Sequence, residues 1–161
     1  MDTTNFFIYP SDSQHEDGEA IIFLERATDD DWQQLLDYTS TLRFAQGDMV
    51  IQQGDKDDSL AFVASGELEV LIPKGRSKKL ERLTTFSAGT VIGEQSFLDR
   101  KPRSTSIRAI SDGELYRLSR DAFTVLSAKN PNLAMQVAMD LGRILSIRLR
   151  KTTQFLSTAK R

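Results

Sequence analysis

Short apolar runs separated by polar turns fill the chain from residue 41 to about residue 117. Pairs of glycine and aspartate lie in the turns, as in Gly47-Asp48 and Gly54-Asp55. Residues 68–72 begin with apolar and acidic residues in alternation, which is typical of a strand with one buried face. Many short strands with regular turns predict a β-sandwich or a jelly roll.

Helix signals precede and follow this β-rich stretch. Thr28 is followed by three aspartates, which is a favourable N-cap and first turn, and the predicted helix ends near Ser40. A short helix is expected to begin around Ser119 and to end near Lys129. Asn130-Pro131 then places a cap before a proline at the first helical position, so a second C-terminal helix is predicted from there.

The last helix carries a row of residues that step by four and three along its sequence. Because such an apolar face has to be covered, it must pack on the β-rich part or on another chain. The predicted row consists of Ala134, Ala138, Leu141, Leu145, Leu149, Thr152 and Leu156, and it is widened by Val137, Ile144 and Ile147.

These patterns divide the 161 residues into three parts. Residues 1–27 are expected to form an N-terminal arm, residues 28–130 a roll with flanking helices, and residues 131–161 a long C-terminal helix. A chain of this length is enough for one domain with a sizeable core.

Composition narrows the function through the residues that the chain lacks. It has no cysteine and a single histidine, His15, in a polar acidic stretch, so the usual metal-ligand sets are missing and we interpret His15 as a tail residue. No apolar run approaches the length of a membrane span, and we expect a cytoplasmic protein without a membrane segment. The first quarter is acidic and the C-terminal segment is basic. We attribute this asymmetry to a solvated arm and to cations near a helix C-terminus rather than to nucleic-acid binding.

Residues 92–106 hold the candidate chemistry. A Gly93-Glu94 pair is followed, nine residues after the carboxylate, by Arg103, with Pro102 before it and Ser104 after it. A guanidinium can hold a phosphate through parallel hydrogen bonds, and an ionised carboxylate accepts a hydrogen bond from a hydroxyl group. Amides at the start of a short helix point at the same anion, and glycine lets the main chain come close. These groups fit a cyclic nucleotide, which carries one phosphodiester anion and a ribose 2′-hydroxyl.

This run resembles the phosphate-binding cassette of cyclic-nucleotide-binding domains, as in protein kinase regulatory subunits, cyclic-nucleotide-gated channels and the bacterial catabolite activator. That cassette reads aromatic-Gly-Glu-apolar-small-Leu and then, after a few variable residues, Pro-Arg-small-small. The resemblance implies an α+β fold, an eight-stranded β jelly roll with an N-terminal helix and C-terminal helices. The matching residues are Gly93, Glu94, Pro102, Arg103 and Ser104, and the departures are Ile92, Gln95 and Phe97.

The resemblance also implies roles within the cassette. Glu94 would accept a hydrogen bond from the ribose 2′-hydroxyl, and Arg103 would pair with an oxygen of the cyclic phosphate. The amides of Ser96 and Ser104 would surround the same phosphate group. The ligand is expected to be cAMP or cGMP, with the base left open and with no cofactor or metal. The expected ligand-binding residues are Gly93, Glu94, Gln95, Ser96, Arg103, Ser104 and Thr105.

We therefore expect a sensor that relays ligand occupancy through its C-terminal helices to an unidentified protein partner. Catalysis is not expected, because clustered histidine or carboxylate ligands and phosphate-loop motifs are missing. DNA binding is not expected either, because the sequence stops after its long helix, without a helix-turn-helix.

Two questions stay open at the level of the sequence. The apolar row would allow a homodimer through residues 131–158, or it would fold back on its own roll. The alternative function is an interaction module with a pocket that no longer binds a mononucleotide, or that binds another anion such as a cyclic dinucleotide. Ile92 and Gln95 are the departures that keep this alternative open.

Overall fold

The computed structural model describes residues 23–76 and 78–158 of the chain. The expectations for residues 1–22, which include His15 and most of the N-terminal arm, lie outside the described residues. The helices of the described part are α1 (Asp29–Asp37), α2 (Glu94–Asp99), α3 (Arg120–Lys129) and α4 (Pro131–Thr158). The strands are β1 (Thr39–Phe44), β2 (Met49–Ile51), β3 (Leu60–Ser65), β4 (Glu67–Lys74), β5 (Lys79–Ser87), β6 (Val91–Ile92), β7 (Ser106–Ala109) and β8 (Gly113–Leu118).

The strands of the described part form two antiparallel sheets with four strands each. One sheet has the order β1-β8-β3-β6, and the other has the order β2-β7-β4-β5. Apolar side chains from both sheets meet in one core, including Val63 and Leu115 from the first sheet and Leu68 and Ile107 from the second. The predicted eight-stranded jelly roll with an N-terminal helix and C-terminal helices is therefore confirmed.

A second core joins the helices to the sheet that contains β3 and β8. Phe62 and Leu118 from this sheet pack with Leu126 of α3 and with Leu133 and Leu141 of α4. The cassette strand β6 lies at one edge of the same sheet, next to β3. The candidate site therefore lies where the roll meets its C-terminal helices.

Helix α1 begins as predicted and ends earlier than predicted. The Thr28 hydroxyl accepts a hydrogen bond from the Asp31 amide, and the Asp31 carboxylate accepts one from the Thr28 amide, which together form a capping box. The helix ends at Asp37, whereas the sequence pattern predicted an end near Ser40. Ser40 instead pairs with Arg117 in the β1–β8 ladder, so tertiary pairing decides the boundary.

The apolar residues of α4 lie on two faces, so the single predicted stripe is wrong. The buried face consists of residues that pack on the second core, and it includes Leu133, Val137, Leu141 and Ile144. Several residues of the predicted stripe are exposed, namely Ala138, Leu149, Thr152 and Leu156. A shift of one residue turns a side chain by about 100° around a helix axis. The predicted series and the residues that widen it therefore share Val137, Leu141 and Ile144 with the buried face and also include residues of the exposed face.

Candidate functional site

A left-handed glycine starts the cassette at the end of β6. Gly93 has a φ of 80°, and α2 begins directly after it. A Cβ atom at this position would lie 2.4 Å from Nη1 of Arg103 and 2.8 Å from the carbonyl oxygen of Ser59. Glycine is therefore required here both for the backbone angle and for the close approach of the arginine.

Arg103 is buried beside this turn and is held by groups both inside and outside the cassette. Its Nη2 donates to Oδ2 of Asp57 at 2.9 Å and to the Ser59 carbonyl oxygen at 2.8 Å. Its Nη1 donates to the Gly93 carbonyl oxygen at 3.1 Å. The backbone is held as well, because the Arg103 amide donates to the Asp55 carbonyl oxygen at 2.8 Å. The guanidinium is thus fixed in place before any ligand binds.

One buried nitrogen of this guanidinium group lacks a hydrogen-bond partner in the described part of the chain. Nε of Arg103 is buried and has no hydrogen-bond partner among the described residues. A buried N–H group without a partner costs free energy, more so when it belongs to a charged group. An anion that enters the site would accept a hydrogen bond from this donor, which the fixed guanidinium group already holds in position.

Asp57 joins Arg103 to a second arginine on β8. Nη2 of Arg117 donates to Oδ1 of Asp57 at 2.8 Å, and Nε of Arg117 donates to the Ser59 hydroxyl at 2.8 Å. Burial raises the pKa of Asp57, but the hydrogen bonds from Arg117, Arg103 and Ser59 outweigh it and hold the pKa well below its usual range. The carboxylate is therefore ionised at any physiological pH, and the two guanidinium groups leave this cluster with a positive charge.

Glu94 is buried at the first position of α2 and receives a hydrogen bond from the long C-terminal helix. Nη1 of Arg148 donates to Oε1 of Glu94, and Nη2 of Arg148 donates to the Val91 carbonyl oxygen at 3.1 Å. The Arg148 guanidinium also lies over the Phe86 ring, 5.1 Å from its centroid. Burial raises the pKa of Glu94 to about 7 against the attraction of Arg103, and burial lowers the pKa of Arg148 to about 10.

The remaining expected site residues lie on the two segments of the cassette. Ser96 is buried in α2, and none of the described residues accepts a hydrogen bond from its amide or from the amide of Ser104. The exposed side chains of Gln95 and Ser104 contact each other, since the Ser104 hydroxyl donates to Oε1 of Gln95 at 2.5 Å. Thr105 is half-buried beside them.

The structure adds four residues that the sequence did not single out. Asp57 follows the predicted Gly54-Asp55 turn by two residues, but nothing in the sequence distinguishes it from its acidic neighbours. No sequence pattern distinguishes Ser59, which directly precedes β3, or Arg117, an exposed residue of β8 between β1 and β3. Arg148 was seen only as one charge of a basic segment. Their roles depend on contacts between residues that are distant in sequence. Arg103 and Asp57 are 46 residues apart, and Arg148 and Glu94 are 54 residues apart.

The short helix α2 also contacts α3. The rings of Phe97 and Phe123 meet edge to face with centroids 5.2 Å apart. Nη1 of Arg120 donates to the Phe97 carbonyl oxygen at 2.5 Å, and its guanidinium lies 5.3 Å from the centroid of the same ring. A movement of α2 would therefore be transmitted to α3 through Phe97 and to α4 through Glu94.

Comparison with known proteins bears on this site. The family model described as "Cyclic nucleotide-binding domain" matches residues 41–130. The chain is similar to the "cAMP-dependent protein kinase regulatory subunit" of Emericella nidulans, with 30% identity over 99 residues, which are 62% of this chain and 23% of that protein. It is also similar to the "cGMP-dependent protein kinase egl-4" of Caenorhabditis briggsae, with 32% identity over 107 residues, which are 66% of this chain and 14% of that protein.

Among solved structures, the catabolite activator protein of Thermus thermophilus has 28% sequence identity and a TM-score of 0.73, over 83% of this chain and 60% of that one. The chain spans less than a quarter of the length of the two curated relatives. In the described part of the chain, no helix combines the length and the apolar character that crossing a membrane requires.

Proposed function

The chain belongs to the cyclic nucleotide-binding domain family, and on this basis we propose that its cassette binds cAMP or cGMP and relays occupancy through the C-terminal helices to a protein partner. The observation that supports ligand binding most directly is the buried Nε of Arg103, which has no hydrogen-bond partner among the described residues. A cyclic phosphate beside this atom would accept a hydrogen bond from the N–H group that has no partner in the described part of the fold. The relatives named above leave the base open, since one is cAMP-dependent and the other cGMP-dependent by name.

The anion would be held by one guanidinium and two amides. Arg103 supplies the charge, and the amides of Ser96 and Ser104 supply neutral donors from the two segments of the cassette. A charge-assisted hydrogen bond contributes about 1.5–3 kcal/mol. The loss of the Arg103 side chain removes this contact together with its charge, and should therefore weaken affinity by on the order of a hundredfold or more.

The ribose would be held by Glu94, and here the ligand competes with the protein itself. Oε1 of Glu94 accepts from Arg148 of α4. A ribose 2′-hydroxyl that donates to the same carboxylate replaces part of this contact, so binding changes how α4 is held. This competition is the physical basis of the proposed relay, because a ligand shifts a conformation only through its differential affinity for the two arrangements.

The C-terminal helices would carry the signal outward. Phe97 links α2 to α3 through Phe123, and Arg148 links α2 to α4. The protein that reads this movement is unidentified. We also propose a homodimer through residues 131–158, because α4 exposes an apolar row besides its buried face. A cytoplasmic location and a role without catalysis or nucleic-acid binding stay predictions from the sequence.

One observation favours a second function, an interaction module without mononucleotide binding. Both key side chains already have protein partners, Arg103 through Asp57 and Glu94 through Arg148. If these contacts are stronger than those that a ligand offers, the roll binds only its protein partner or a larger anion, such as a cyclic dinucleotide.

Titration calorimetry of the full chain with cAMP, cGMP and a cyclic dinucleotide tests these functions. We expect binding of a mononucleotide by the wild type and an affinity at least a hundredfold lower for Arg103→Lys and Arg103→Ala. The control is Arg43→Ala, which removes an exposed arginine paired with Glu114 on the same roll and should bind as the wild type does. Circular dichroism establishes whether each variant folds.

The outcomes separate the two functions. No heat with either mononucleotide would overturn the sensor function, and heat with the dinucleotide alone would favour the second function. If folded Arg103→Lys binds as tightly as the wild type, the ligand binds elsewhere and the assigned site is wrong.

A further inference from the structure

We propose that Gln95 is a positioning residue that closes the ligand site by holding Ser104 across the cassette. The proposal rests on the proposed function, since it concerns the same site. Gln95 lies in the first turn of α2, where the family cassette has an apolar residue, and Ser104 directly follows Arg103. The Ser104 hydroxyl donates to Oε1 of Gln95 at 2.5 Å.

This hydrogen bond joins two segments that must act together. Ser96 on α2 and Ser104 after Arg103 each present an amide from which no described residue accepts a hydrogen bond. Among the described residues, the Ser104–Gln95 contact is the only hydrogen bond between α2 and the segment that follows Arg103. Together with the bond from Nη1 of Arg103 to the Gly93 carbonyl oxygen, it therefore holds the two segments beside each other before a ligand enters.

The rest of the segment leaves Ser104 without another anchor. Arg103 is held by Asp55 and Gly54 through its backbone, and the next fixed point is Ser106, whose hydroxyl accepts from the Gln53 amide at 3.0 Å. Between these points none of the described residues makes a further hydrogen bond to Ser104. Without the Gln95 contact, the Ser104 amide would have to be ordered by the ligand, and this ordering lowers affinity.

The contact also decides what the Ser104 hydroxyl can do. A serine hydroxyl has one proton, and Gln95 accepts a hydrogen bond from it, so the oxygen is left as an acceptor only. The hydroxyl is then unsuited to an anionic phosphate, and the phosphate depends on the backbone amides and on Arg103. An apolar side chain at position 95 would free this proton but leave Ser104 without its anchor. The loss of affinity expected for such a variant is therefore the cost of ordering Ser104 less any bond that the freed hydroxyl makes to the ligand.

A double-mutant cycle measures the coupling. Gln95→Met keeps the length of the side chain and removes the strong acceptor, and Ser104→Ala removes the donor. Calorimetry with cAMP and cGMP should give a dissociation constant about threefold to tenfold higher for each single variant, which is the size of one lost neutral hydrogen bond. The double variant should lose no more than either single one, because both changes break the same contact.

Two further variants test whether the effect depends on the Ser104 hydroxyl and on a glutamine at this site. Ser104→Thr keeps the hydroxyl and should bind within about twofold of the wild type. Gln33→Met removes another exposed glutamine contact, the one to Asp37 on α1, and should leave affinity unchanged. Thermal melting temperatures of all variants should match that of the wild type, since the Gln95–Ser104 bond is exposed and stabilises the fold little.

The results that overturn the proposal are distinct from those that overturn the function. Absence of binding by the wild type would remove the proposed function and this inference with it. Binding of mononucleotide by the wild type together with unchanged affinity of Gln95→Met would overturn the inference alone. Losses that multiply in the double variant would show that the two residues contact the ligand separately.

Discussion

The charge that faces an incoming anion at this site is set by residues outside the cassette motif. Arg103 alone would form a neutral pair with Asp57, and a neutral buried pair attracts an anion weakly. Arg117 on β8 contacts the same carboxylate, so the three groups together keep one positive charge. Because the pKa of Asp57 lies well below its usual range, this balance does not change at physiological pH.

Arg117→Gln should therefore weaken binding without touching the ligand. We expect a dissociation constant about fivefold to tenfold higher and a weaker dependence on salt, as one partly screened unit charge is lost. The double variant with Asp57→Asn should recover part of the affinity, because it restores the net charge. Arg43→Gln is the matched control for the lost charge. Equal binding by Arg117→Gln and the wild type would show that the charge of Arg117 does not influence the ligand.

Glu94 should give the stability of the protein a specific dependence on pH. Burial raises its pKa from an ordinary 4.5 to about 7 in the folded chain. Below pH 4.5 the group is protonated in both states, whereas above about pH 7 the fold contains a buried charge. As pH rises through this window, the wild type should lose stability relative to Glu94→Gln, by on the order of 3 kcal/mol in total.

Urea unfolding of both proteins between pH 4.5 and pH 8 measures this difference. The comparison between the two proteins cancels the carboxylates with lowered pKa values, such as Asp57 and Glu69, whose contributions are lost as pH falls. A difference that stays constant across the range would mean that Glu94 titrates as an ordinary carboxyl group.

At the scale of elements, the position of α4 is linked to the site by one side chain. Arg148 reaches from the second half of α4 to Glu94 and to the Val91 carbonyl oxygen in the cassette strand β6. The same helix packs on the roll through Val137, Leu141 and Ile144, earlier in its sequence. The first half of α4 is therefore part of the core, while its second half is held by the residues that a ligand would contact.

Arg148→Gln should raise the affinity for a cyclic nucleotide, because the ribose would no longer compete with a charged donor for Glu94. We expect a dissociation constant about threefold to tenfold lower by calorimetry, the equivalent of one hydrogen bond. Arg150→Gln, an exposed arginine on the same helix, serves as the control. A lower affinity of Arg148→Gln would mean that Arg148 contacts the ligand itself rather than opposing it.

Elements with strong local signals were predictable from the sequence, and those set by distant contacts were not. Thr28 and Ser119 cap their helices as their sequence context suggests, and Pro131 begins α4. Strand β6 was not predicted separately, since Val91–Ile92 has two residues and no alternation. The end of α1 and the two faces of α4 depend on β8 and on the roll, which a local pattern does not contain.

For the whole molecule, the same distinction separates the cassette from its surroundings. Gly93, Glu94 and Arg103 could be selected because their chemistry and spacing lie within one stretch of sequence. Asp57 and Arg148 could not, since they reach the cassette only after the chain has formed the roll and returned along α4. The family match fixes the type of domain, while the contacts of Asp57 and Arg148 with the cassette emerge only from the folded structure.

The exposed face of α4 bears on how many copies the working protein contains. Met135, Met139, Leu149 and Leu156 are each more than half exposed, with relative accessibilities between 59% and 67%. Gly142 and Ser146 continue the row between them, so the spacing alternates between four and three residues over most of the helix. This spacing is typical of a helix that packs along a second helix, and the small residues would let the two approach closely.

A charged residue in this row should separate a dimer without unfolding the roll. Met139→Glu and Leu149→Glu place a carboxylate on the exposed face, and light scattering should show a change from the mass of two chains to the mass of one. Val125→Glu, an exposed apolar residue of α3 outside the row, is the control and should keep the wild-type mass. If the wild type already has the mass of one chain, the row is free to bind the proposed protein partner instead. A ligand that releases Arg148 would then act on the half of α4 that carries Leu149 and Leu156, so the mass should also be measured with saturating cAMP and cGMP.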